Sequence, residues 1–300
     1  FAQSRREVHM DNHGGFGASG GMDNDLAFEQ QRGGWLRDTL PAWLAEAIIF
    51  IAKQAWACLF GTSILLAVII TNAIWSDDWA LARYDALVIF TVLMQAAMLL
   101  FKMETWAEAK VILLFHITGT SMELFKVSAG SWEYPEASVL VIMGVPLFSG
   151  FMYASVGSYI ARVIRIFDIR FTPYPPFWTT VVLAIAIYVN FFAHHFVPDI
   201  RLILFAATVI LFGRTMVRFT LGRRYGFPLP LAALIVSFFL WLAENISTLT
   251  GTWTYAGSPP FDWTSLQKMG SWYLLIYVAF VTVTLVIRAP LDIKDNRAIS

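Results

Sequence analysis

The chain is poor in charge and nearly devoid of cysteine. Asp, Glu, Lys and Arg together make up 14% of its 300 residues, and Cys58 is its single thiol, set inside an apolar run. One thiol excludes an internal disulfide framework and any thiolate metal cluster. The 21 basic and 21 acidic residues cancel, so no bulk charge points to nucleic acid as a partner. Walker A, Rossmann and protein-kinase signatures are missing, which argues against nucleotide-driven chemistry within the chain. No His-Glu-x-x-His or di-iron Glu-x-x-His run is present. The last apolar run has lysine only at its start, Lys268, which argues against a retinal Schiff base.

What is abundant is apolar surface. Hydrophobic residues are 58% of the chain and mean hydropathy is +0.62, more than a soluble domain of this length can bury. The expected class is all-α: a polytopic membrane protein. Aromatic residues reach 16%, with Trp and Tyr near the ends of the apolar runs, as in interfacial belts.

Eight spans are expected from apolar runs, at 54–75, 84–102, 107–128, 137–165, 176–196, 199–217, 228–250 and 266–288. The first has an amphipathic lead-in from Pro41 carrying Glu46 and Lys53, and no span is conspicuously broken. Residues 1–40 read as a disordered segment; the stretch up to Met10 reads as vector-derived, with Met10 or Met22 as the native start. Lys and Arg collect in alternate connections, among them Arg162, Arg165 and Arg170, then Arg214, Arg218, Arg223 and Arg224. These arginines read as topology determinants, and by the positive-inside rule both termini are cytoplasmic.

One motif occurs twice. Glu123, Gly130, Ser131, Trp132 and Tyr134 recur as Glu244, Gly251, Thr252, Trp253 and Tyr255, 121 residues on. Each copy closes an apolar run, so each sets a carboxylate at a membrane rim, where it must be paired, solvated or used. Other landmarks keep a similar offset, including Asp85 with Asp199 and the Val-Ile-Arg runs ending at Arg165 and Arg288. A tandem duplication is expected: a first four-helix half at 41–170, a second at 171–290, and a tail at 291–300, related by a pseudo-two-fold along the membrane normal. The Gly-Ser/Thr step before each Trp suggests a helix cap and sharp turn.

Glu123 and Glu244 are the candidate catalytic residues, together with His116. His116, Thr120 and Glu123 follow one helical face and could relay a proton, or bond a neighbouring helix. Trp132, Tyr134, Trp253 and Tyr255, with Thr120 and Asn245, are the candidate substrate contacts; the aromatic four also suit a membrane belt. A metal is an open question, with His116, His194 and His195 as weak candidate ligands. Glu133 and Glu136 read as solvated.

The stretch His116-x-x-Gly119-Thr120-x-x-Glu123-Leu-Phe-Lys126, then Gly130-Ser-Trp-Glu-Tyr-Pro135-Glu and Gly144 to Tyr159, resembles a bacterial membrane family named domain of unknown function 817, over roughly residues 40–290. That resemblance implies an inner-membrane location and no activity. The repeated acid with Gly-x-Trp-x-Tyr is also similar to the membrane carotenoid lycopene cyclases and carotenoid hydratases. This would imply acid-initiated chemistry on an isoprenoid, with Glu123 or Glu244 as proton donor. Their Pro-x-Glu-Glu signature is met only in part, at Tyr134-Pro135-Glu136.

Three functions fit these features: a cofactor-independent acid–base enzyme for an isoprenoid or lipid, a proton-coupled transporter of a small solute, or a structural subunit of a membrane complex. The partners expected are membrane lipids and a hydrophobic small molecule, with a homo-oligomer or a larger complex as the assembly.

Overall fold

A computed structural model describes residues 34–76, 78–194, 196–257 and 263–291. Of the expected disordered segment 1–40, residues 1–33 lie outside these residues, as does most of the tail, and the expectation is corrected for residues 34–39, which are helical. The chain divides into two compact units, residues 1–45 and 46–300. Of the first, residues 34–39 form a short helix, followed by the start of a longer one.

The protein is mostly helical. Helices α1 (Ala42–Ala57), α2 (Leu59–Ile74), α3 (Arg83–Leu100) and α4 (Trp106–Ser128) come first; α5 (Phe148–Ile166), α6 (Phe177–Ala193), α7 (Arg201–Phe212), α8 (Leu229–Leu249) and α9 (Leu266–Val286) follow. Every apolar run of the sequence therefore contains a helix. Among the described residues only α3, α4, α8 and α9 are long and apolar enough to cross a membrane, and α1 with α2 makes a fifth if the bent pair is one span. The 12 residues of α7 rise about 18 Å, short of a hydrocarbon core of about 30 Å. Helix α5 is long enough but carries Arg162 and Arg165.

The expectation of an unbroken first span is corrected: α1 and α2 meet at 69°, around Cys58. The cause lies on another helix. Arg162 is fully buried, and its guanidinium donates to the Trp56 carbonyl at 2.6 Å and the Met103 carbonyl at 3.2 Å. It takes up a carbonyl beside the bend, as membrane helices require at a break. Arg165 pairs with buried Glu108 at 2.8 Å, and Glu108 also closes a capping box with Thr105 at the start of α4. Arg162 and Arg165, expected to be topology determinants, are thus structural ties.

Short strands interrupt the helices, which the all-α expectation did not include. Strands β2 (Val141–Ile142) and β3 (Val145–Pro146) form a hairpin where the fourth span was expected to begin. Asp85 holds the segment before them, accepting from Ser138 Oγ at 2.6 Å and the Leu140 amide at 2.7 Å. The arginine-rich connection at 214–228 is a hairpin of β5 (Met216–Thr220) and β6 (Arg224–Pro228), and β4 (Arg170–Thr172) pairs with β5. Alternation along Met-Val-Arg-Phe-Thr is the sequence signal for it. Glu136, expected to be solvated, pairs with buried Arg83.

Helices α4 and α5 form the closest packed pair. A Cβ on Gly119 would collide with the Tyr153 ring, and one on Gly157 with Phe115. Glycine at such a seam lets two membrane helices approach. Glu108 and Glu123 are 15 residues apart on α4, so the two polar ends of this pair are separated by about 22 Å.

Arg162→Met keeps apolar bulk but leaves the Trp56 carbonyl without its donor. Thermal unfolding of the variant in detergent is expected to show a loss of about 2 kcal/mol. An unchanged midpoint would mean the bend does not depend on Arg162.

Candidate functional site

Both motif copies end their helices in the same way. Gly130 (φ 67°) and Gly251 (φ 63°) adopt the left-handed conformation that glycine tolerates best. The amide of Ser131 donates to the Lys126 carbonyl at 2.9 Å, and that of Thr252 to the Ser247 carbonyl at 2.9 Å. These are Schellman-type caps at matching positions. Each cap turns the chain into a two-residue strand, β1 (Trp132–Glu133) and β7 (Thr254–Tyr255), and the two pair antiparallel. The register places Trp132 opposite Tyr255 and Glu133 opposite Thr254. Ala256 donates to the Ser131 carbonyl at 3.2 Å and extends the ladder.

This pairing brings the two acids to one place. Glu123 and Glu244 are 2% and 5% exposed, and both line a cavity of about 400 Å³. Glu123 accepts from Trp132 Nε1 and Tyr134 Oη at 2.8 Å each and from Tyr153 Oη at 2.6 Å. Glu244 accepts from Tyr255 Oη and Trp272 Nε1. Each acid thus meets the tyrosine eleven residues after it in its own motif, plus a ring from the helix that follows: Tyr153 on α5, Trp272 on α9. Buried carboxylates survive in apolar surroundings when donors meet them in this way.

The same wall carries cations. Lys126, Arg201 and Lys268 line the cavity with His194. The Lys126 ammonium lies 4.2 Å from the Phe191 ring centroid, and that of Lys268 lies over Tyr255. Arg201 pairs with Asp199 at 2.9 Å.

Of the sequence-predicted residues, Glu123, Glu244, Trp132, Tyr134, Trp253 and Tyr255 share this cavity. His116 and Thr120 do not line it. They face Gly150 across the α4–α5 seam, where a Cβ would collide with both, and the His116 ring packs on Phe151 at 4.5 Å. Asn245 turns away to hold Thr264, accepting from its amide at 2.8 Å. His194 borders the cavity with Nδ1 on the Asn190 carbonyl at 3.1 Å, and His195 lies outside the described residues. Among the described residues no three His, Cys, Asp or Glu side chains converge as metal ligands would.

Tyr153, Trp272, Lys268 and Arg201 are members that sequence reasoning missed. A tyrosine or tryptophan inside an apolar run needs an acceptor when buried, which is a usable signal. Which acceptor it meets depends on helix packing and has no fixed spacing.

The family model described as protein of unknown function, DUF817, matches residues 46–280. The chain belongs to this family. A relative, the uncharacterized protein YoaT of Bacillus subtilis (strain 168), is 44% identical over 242 residues, covering 80% of this chain and 91% of its own. No solved structure matches. In this DUF817 chain the match takes in both acids and all four motif aromatics.

Tyr134 and Tyr255 follow from this geometry as alkaline-sensitive groups. Burial first, and then the adjoining glutamate, hold both phenols well above the usual tyrosine range. In the unfolded chain tyrosine ionises near pH 10, so above about pH 10 the unfolded state releases protons that the folded state retains, and stability falls. The thermal midpoint is expected to drop from pH 9 to pH 11, and less steeply in a Tyr134→Phe, Tyr255→Phe double variant. Identical slopes would contradict the assignment.

Proposed function

We propose that this chain is a membrane enzyme that applies acid–base chemistry to an isoprenoid or lipid held in the Glu123–Glu244 cavity. The observation that carries this is the arrival of two carboxylates on one aromatic-walled chamber. Glu123 accepts three hydrogen bonds and is held as a fixed acidic group facing developing positive charge. Glu244 accepts two and keeps more capacity for the ligand, so it is assigned as proton donor. It protonates a carbon–carbon double bond. The resulting cation is shielded by Trp132, Tyr134, Trp253 and Tyr255 and is quenched when a neighbouring carbon gives a proton back to the Glu244 carboxylate, which restores the acid and leaves a rearranged double bond. His116 and Thr120 act indirectly, through the α4–α5 seam that sets Tyr153 on Glu123. Asn245 shapes the wall by holding Thr264.

We further propose eight crossings built as two four-helix halves, the short helices accommodated by local thinning of the bilayer, with both termini on the cytoplasmic side of an inner membrane. Support for the duplication comes from β1 and β7. Glu133 and Thr254 occupy matching positions of the repeat and lie directly opposite one another, as two segments do about a two-fold axis. Support for the sidedness comes from the alternation of Lys and Arg. Large exposed side chains such as Leu202 and Ile210 suit contact with membrane lipid.

One observation favours a second function, proton-coupled transport. The broken span places Gly61, Ile64 and Val68 of α2 on the cavity, and discontinuous helices mark binding sites in transporters. Solute flux that follows a pH gradient, with the solute chemically unchanged, would belong to it.

The enzyme is tested by comparing lipid extracts of cells expressing the parent chain, Glu123→Gln and Glu244→Gln. Both variants are expected to abolish the change in lipid profile that the parent produces. A profile that survives both substitutions would remove the acid–base role.

A further inference from the structure

A second cavity, of about 240 Å³, abuts the first. The two share walls at Tyr153, Val156, Leu240, Trp272 and Leu275. Tyr153 and Trp272 stand between them, their ring centroids 6.5 Å apart, and each ring directs its polar edge to one of the glutamates. Their hydrocarbon faces are left to both chambers.

The two chambers differ in chemistry. The first contains both acids and the three cations. The second is lined by apolar side chains such as Met122, Ala184 and Val281, with few polar groups. Those polar groups are already bonded within the protein. Tyr188 Oη donates to the Thr118 carbonyl at 3.2 Å, Thr118 Oγ1 to the Leu114 carbonyl at 2.9 Å, and Thr282 Oγ1 to the Val278 carbonyl at 2.8 Å. Nothing there calls for a polar ligand, so hydrocarbon suits it. Its lining includes Ile185 and Leu285, 58% and 45% exposed, so an apolar chain can enter it from the molecule's outer surface.

The cations fix the other end. Lys126 on α4, Arg201 on α7 and Lys268 on α9 reach the first cavity from three helices, and their positive charges act on one another. Basic groups gathered between membrane helices favour an anionic headgroup.

We infer that the ligand is a single-chain amphiphile with an anionic head: the head lies against Lys268, Lys126 and Arg201 in the first cavity, and the chain runs along the shared wall of Tyr153 and Trp272 into the second. This rests on the proposed function for the identity of the site, and it adds the headgroup charge and the path of the chain. Chain and acids then meet at that wall, where both rings touch a glutamate.

Binding rather than turnover tests it. The full chain in maltoside micelles is titrated with hexadecyl phosphate, octyl phosphate, hexadecanol and inorganic phosphate. Hexadecyl phosphate is expected to bind about tenfold or more tighter than octyl phosphate, since the longer chain buries more methylenes. Ala184→Leu, which narrows the second cavity, is expected to erase that advantage and to leave octyl phosphate unchanged, which also shows that the variant is folded. Lys268→Gln is expected to weaken both phosphates about tenfold. A chain-length preference untouched by Ala184→Leu would overturn the chain path. Inorganic phosphate binding as tightly as hexadecyl phosphate would do the same. Hexadecanol matching hexadecyl phosphate, with Lys268→Gln silent, would overturn the anionic head. Binding as expected together with a lipid profile that survives both glutamine variants would reject the enzyme and leave the amphiphile site standing.

Discussion

A carboxylate inside an apolar helical bundle must be met by donors or by countercharge, because the bilayer interior offers it no water. Much of this protein follows from meeting that demand twice. Glu123 and Glu244 each sit near the end of a helix whose glycine cap reverses the chain, and the reversal brings back a tyrosine eleven residues later to hold the acid. The returning segments pair with each other, so satisfying one acid positions the other. Arg83 and Tyr84 at the start of α3 secure the second cap, through the Thr252 hydroxyl at 3.2 Å and its carbonyl at 2.8 Å. The result is a polar chamber at one end of a helical bundle, walled by aromatic rings.

The opposite end obeys the same rule with different residues. Glu104, Glu108, Arg162 and Arg165 are charged groups packed among helices, and each is bonded to a partner of opposite charge or to backbone or side-chain oxygens and amides. There the charged groups bond mainly to one another and to backbone carbonyls. The two clusters differ in what surrounds them: one is packed among helices, while the acids of the other line a cavity.

The legible part of this fold was what local pattern controls. Apolar runs marked where helices form, and Gly130 and Gly251 marked their caps, because left-handed backbone is cheap only for glycine. The two acids were legible as a pair because the motif repeats. Less legible was whatever depends on distant partners. The bend at Cys58 has no proline to announce it; it follows from a guanidinium more than a hundred residues away. His116 and Thr120 share a face with Glu123 as periodicity requires, yet that face is wide enough to meet Gly150 at one level and the cavity at another. The arginine-rich connection showed its charge clearly and its hairpin faintly, since five alternating residues carry little periodic signal.

The central claim is that the two motif copies meet, and a cross-link at their meeting point tests it most directly. Residues opposite one another in an antiparallel ladder have Cα atoms about 4.5–5.5 Å apart, within the span a disulfide bridges. With Cys58 replaced by serine, the Glu133→Cys, Thr254→Cys pair should oxidise rapidly within one chain and change its electrophoretic mobility, while either cysteine alone should not. A double variant that stays reduced under conditions that oxidise accessible thiols would show that the two acids do not share a chamber.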